Sequence, residues 1–188
     1  MNLFKKTVLF LLVTFCSTNL LAYSYAAAGK EPTIDSREAI LKYVNKNDYK
    51  NAKKEFDKAK KNYTYLSTVL NDNLFSSLNK AIEDQDSMKI HKWLNISLAA
   101  EISRRLDGGL KNIKTYNISK VMLAKANKYY KLLEPTLTKE NADKLSVAIK
   151  NCMQAIGNPG LFGVGAKKAD EAVFKQNQLS AVKILTSL

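Results

Sequence analysis

Histidine occurs once in this chain, at position 91, arginine three times, proline three times, and cysteine only at positions 16 and 152. Each scarcity excludes a class of chemistry. One histidine leaves no His pair at helical spacing for a transition metal and no second imidazole for a hydrolytic triad, and no Cys-x-x-Cys-His run offers covalent haem attachment. A Gly-x-Ser-x-Gly elbow is also missing. The carboxylates available for glycoside chemistry reduce to Glu101 with Asp107, which point to different faces of a helix, and the adjacent Glu83 and Asp84. Residues 163–168 have a loosely phosphate-loop-like composition but lack the Gly-Lys-Ser/Thr ending and a preceding strand. The reading is therefore of a non-enzymatic protein with no cofactor.

Sustained period-two alternation is absent as well, so no strands are expected. What is present is helical patterning. The chain opens with Lys5 and Lys6, an apolar run over 7–16 and a small-residue region over 20–28, the three parts of a secretory signal peptide. Cleavage is expected after Ala28, with Ala22 and Ala26 as alternatives, and the apolar run is too short to span a bilayer. Phe15, before Cys16, is too bulky for a lipoprotein signal. Residues 29–188 then form a single domain, periplasmic or secreted, without stable membrane insertion once the signal is removed.

In that mature chain Cys152 is the sole cysteine, so no intrachain disulfide can form. It shares an apolar helical stripe with Leu145, Ile149 and Ile156, where it is expected to act as a small buried hydrophobe. Loss of Lys5 and Lys6 leaves 28 basic residues against 17 acidic ones. That excess suits an anionic partner or a protein with an acidic face. Nucleic acid is not expected, because export and a charge carried almost wholly by lysine argue against it, and no glycine-aromatic or zinc-type motif accompanies the charge.

Helices follow from the spacing of apolar residues and from their caps. Asp35 with Glu38 resembles a capping box opening a short helix to about Asn45. From Tyr49, apolar residues recur at steps of three and four through Ala52, Phe56, Ala59, Tyr63, Leu66 and Leu70 and on to Ala81. Lys50 to Lys61 occupy the other faces, and residues 71–73 offer a break. The central helix spans about 87–106, apolar on nearly every face between Trp93 and Ile102, with Asp107, Gly108 and Gly109 either ending it or loosening it. Thr115, Thr138 and Asp170 cap three further helices, the last placing Phe174, Leu179, Val182 and Leu185 inward. The glycine-rich stretch 157–165 is a loop. The fold expected is all-α, a single-domain bundle of about six antiparallel helices built from hairpins around the central one.

The sharpest polar feature lies at the end of that central helix. Glu101 can meet Arg104 or Arg105 across one turn, with Asp107 nearby, and two forked guanidinium groups in a lysine-rich chain suit a carboxylate. Glu101, Arg104, Arg105 and Asp107, with Phe162 from the loop, are the candidate binding residues. They serve either as a docking network or as a site for an anionic or protein partner. An alternative is ferric-ion or haem carriage through His91, Glu101, Tyr129 and Tyr130.

Overall fold

Proline at the first helical position costs no hydrogen bond, and the first helix, α1, begins there, at Pro32–Val44, three residues before Asp35. The computed structural model describes residues 31–160 and 164–188. α2 is Tyr49–Lys58, α3 Lys60–Ser67, α4 Leu74–Glu83 and α5 Ser87–Lys111. α6, Tyr116–Leu133, leads through a 3-10 turn, Glu134–Thr136, to α7, Lys139–Ala155, and α8, Glu171–Leu185. The described residues are all-α, and residues 32–188 form one unit. The signal-peptide reading falls on residues outside those described.

Among the described residues eight helices stand where about six were expected, and the difference lies in 49–83. There the chain forms three helices in succession. Ala59 ends α2 at φ −94° and ψ 8°. Past α3, the Asn71 side chain accepts from the Asn73 amide at 3.0 Å, a local bond that competes with helix continuation. The apolar seam survives both breaks: Ala52, Phe56, Tyr63, Leu66, Leu74 and Leu78 are all buried. Phe56 stacks between Tyr63 and Phe75 with ring centroids 5.5 and 5.3 Å away.

α5 is capped by Asp86, which accepts from the Lys89 amide at 3.0 Å. It does not end near Leu106. Gly108 and Gly109 lie inside it, and their service is close packing rather than termination: a Cβ on Gly109 would sit 3.2 Å from Phe174 Cζ. Ser119 on α6 donates to the Gly109 carbonyl at 2.7 Å, which that close approach permits. Thr138 and Asp170 cap α7 and α8 as their side chains predict, accepting from Asn141 and Val173 amides. Thr115 precedes α6 without a side-chain cap bond. On α8 the buried stripe is Phe174, Ala181 and Leu185, while Leu179 is 71% exposed and not inward.

Burial divides into two clusters that meet on α5. One gathers Ile40, Phe56, Tyr63, Leu78, Ile90 and Leu94 from α1 to α4 and the front of α5. The other gathers Leu98, Ile102, Leu123, Ile149, Cys152 and Phe174 from the rest of α5 and α6 to α8. Each large side chain removed from water contributes about 1.5–3 kcal/mol. α5 is surrounded because it serves both clusters, which explains its apolar residues on every face.

Candidate functional site

Spacings of three and four residues along α5 bring Glu101, Arg104 and Arg105 together. Glu101 is 1% exposed. Its Oε2 accepts from Arg104 Nε at 3.0 Å and Nη2 at 2.6 Å, and Arg105 Nε lies 3.6 Å from the same oxygen. The other oxygen, Oε1, accepts from the Thr33 hydroxyl at 2.7 Å. Thr33 Oγ1 in turn accepts from Asn62 Nδ2 at 2.8 Å. A buried carboxylate is stable only when it is paired and hydrogen-bonded, and here α1 and α5 supply the donors while Asn62 of α3 supports Thr33.

The Arg104 guanidinium also stacks over the Tyr65 ring, 5.8 Å from its centroid, and Arg105 Nη1 lies 3.8 Å from Met122 Sδ. Outside Arg104 is a cleft of about 370 Å3 bordered by Tyr65, Thr68, Ser103, Asp107 and Gln178. Asp107 does not join Glu101. It pairs with Lys111 at 2.6 Å, one turn further along the same helix. Phe162 lies outside the described residues.

The alternative ligand set is not brought together. His91 is exposed at the front of α5, ten residues and about 15 Å along the axis from Glu101. Tyr129 and Tyr130 are buried with the second cluster. Tyr130 donates toward Glu134 at 2.8 Å and the Ala142 carbonyl at 3.0 Å, so its phenol serves the α6–α7 connection. Among the described residues no group of three or more His, Cys, Asp or Glu side chains could hold a metal ion.

Three polar partners were not evident from the sequence. Thr33 and Asn62 reach Glu101 only through tertiary packing, and no local spacing announces them. Arg37 is the third: its Nη2 lies 3.5 Å from Asn95 Oδ1, its Nε is buried without a hydrogen-bond partner, and burial lowers its guanidinium below the usual arginine value. The Tyr63 phenol beside it shares a 3.0 Å hydrogen bond with Ser36 and is pushed up to about 12 by burial.

Elsewhere the surface is cationic. On the α2–α3 face Lys53 pairs with Asp57 and Lys58 with Glu55, leaving Lys50, Lys54 and Lys61 exposed. A groove of about 660 Å3 between α7 and α8 is bordered by Lys144, Val147, Lys183 and Ile184. Met153 is 40% exposed, whereas Met122 packs under Arg105. Comparison with protein-family models, curated proteins and solved structures finds no match to this chain.

Proposed function

We propose that this is an exported, non-catalytic binding or accessory protein of the bacterial periplasm, recognising an anionic group or a protein with an acidic face. The observation that carries the reading is the closure of the Glu101 network. Both carboxylate oxygens are engaged, Oε1 by Thr33 and Oε2 by Arg104, and with Glu101 1% exposed this carboxylate ties α1 to α5 and is shielded from any substrate it would have to serve as a general base. Recognition is left to the exposed cations, of which Lys50, Lys54 and Lys61 form one face.

The test has two parts. Expression of the full chain in a Gram-negative host, osmotic shock and N-terminal sequencing should recover a protein beginning at Gly29 or, failing that, after Ala22 or Ala26. A photo-cross-linker placed at position 54 should then give a discrete adduct that weakens at high salt and is lost in Lys50→Glu/Lys61→Glu. Turnover of a substrate by the purified protein, abolished by Glu101→Gln with the fold intact, would refute the non-catalytic reading. Retention in the cytoplasm would refute export.

A further inference from the structure

Lys114 is far in sequence from the adjacent Lys167 and Lys168, yet all three border one cleft of about 450 Å3 at the junction of α6, the end of α7 and the loop before α8. The convergence is built by backbone. Asn158 and Lys167 exchange two hydrogen bonds, 2.8 and 2.7 Å, and the Asp170 amide donates to the Ala155 carbonyl at 2.8 Å. Gly157, at φ +73°, makes this possible, because a Cβ there would lie 2.2 Å from the Lys167 carbonyl oxygen. The floor of the cleft is apolar, formed by Ile113, Tyr116, Ile156 and Pro159. A fourth ammonium, that of Lys120, stands 5.6 Å from the centroid of the Tyr116 ring.

This arrangement differs from that of the lysines paired within their own helices. Lys80, Lys89, Lys111 and Lys175 each have a carboxylate one turn away on their own helix, at 3.0, 2.8, 2.6 and 2.6 Å. Among the described residues no carboxylate lines the three-lysine cleft. Asp170, which borders an adjoining cleft with Lys167 and Lys168, accepts from the Val173 amide as the α8 cap, and Glu171 is paired to Lys175, which together with Lys114 at longer range holds its carboxyl below the usual range. Three like charges bordering one apolar floor raise the local positive potential, which an anion seated between them would neutralise.

We infer that this cleft binds a phosphoryl-bearing anion, the ammonium groups engaging the phosphoryl oxygens while the Ile113, Tyr116, Ile156 and Pro159 floor receives the adjoining apolar part. Lysine is suited to this as a compact charge that does not require the planar fork a carboxylate favours. The inference rests on the anionic-partner reading above and names a site for it. A free phosphorylated compound and an anionic lipid headgroup present the same chemistry.

The protein purified after export is titrated with pyrophosphate by calorimetry and by amide chemical shifts, and separately floated with vesicles of phosphatidylglycerol or phosphatidylcholine. Binding to pyrophosphate, with shifts centred on residues 113–120 and 156–169, is the expected result for a soluble ligand. Selective flotation with phosphatidylglycerol is the expected result for a headgroup. Either should weaken by about fivefold for each of Lys114→Gln, Lys167→Gln and Lys168→Gln. These residues are solvent-exposed, so the thermal midpoint should not move, whereas the exposed Lys46→Gln/Lys128→Gln/Lys139→Gln serves as the charge-matched control for the triple variant and should bind as the unaltered protein does. Equal binding by the triple glutamine variant, or equal weakening by the control, overturns the site. So does the absence of binding to either probe; if the position-54 adduct persists, the broader reading survives that failure.

Discussion

Cys152 has no exposed surface, its Sγ lies 3.7 Å from the Phe174 carbonyl oxygen, and burial pushes its thiol up to about 12. Tyr63 is raised to about 12 by the same cause. Both groups hold their protons more tightly when folded than at their ordinary values of 9.0 and 10.0, so the stability they carry is complete below about pH 9 and is lost as pH rises toward 12. Urea midpoints measured from pH 8 to 11 should fall with pH, and Tyr63→Phe with Cys152→Ala should flatten that fall. Glu101 gives a second residue-scale prediction. Replacement by Gln leaves Arg104 without its anion and should cost about 2–3 kcal/mol in chemical denaturation, without the loss of ligand binding expected of a contact residue. The Glu101, Arg104 and Arg105 grouping was legible in the sequence because one helix carries all three at spacings of three and four. Thr33 and Asn62 were not, because their contribution depends on how α1 and α3 dock.

Two adjacent glycines in one helix show how little an element's interior reveals of itself to a linear reading. The dipeptide of Gly108 and Gly109 reads either as a terminator or as a loosened turn, and α5 passes through it to Lys111, with α6 and α8 pressed close at that turn. The two positions should respond oppositely to the same change. In Gly108→Ala the new methyl meets only the flexible Met122 at 3.4 Å, and the usual helical gain of about 0.5–1 kcal/mol should appear in the thermal midpoint. In Gly109→Ala it meets the fully buried Phe174 at 3.2 Å and Leu123 at 3.5 Å, neither of which has room to retreat, and stability should fall by about 1 kcal/mol or more. Caps at Asp86, Thr138 and Asp170 were legible because a side-chain acceptor three residues before an amide acts locally. The outward turn of Leu179 was not, since Ala181, a smaller residue two positions on, took the place facing the core.

At the scale of the whole molecule, α5 threads both clusters, so neither should unfold alone. Trp93 packs against the first cluster and Cys152 lies inside the second, which provides a probe for each half. Loss of Trp93 fluorescence and exposure of the Cys152 thiol to a disulfide reagent should share one urea midpoint. Separated midpoints would mean that α5 can part at its middle. The all-α class was visible from periodicity throughout, while the meeting of Lys114 with Lys167 and Lys168 was not, being the product of a loop folded back on the end of α7. The close seat of α8 on Gly109 also has a kinetic meaning. Most helix pairs here, α1 with α2, α4 with α5, α5 with α6 and α7 with α8, are neighbours along the chain, and local pairings form early. The contact of α8 with α5 spans a long stretch of chain and must wait for the others. Crowding or loosening at Gly109 should therefore act mainly on the rate of opening, leaving the rate of folding nearly unchanged.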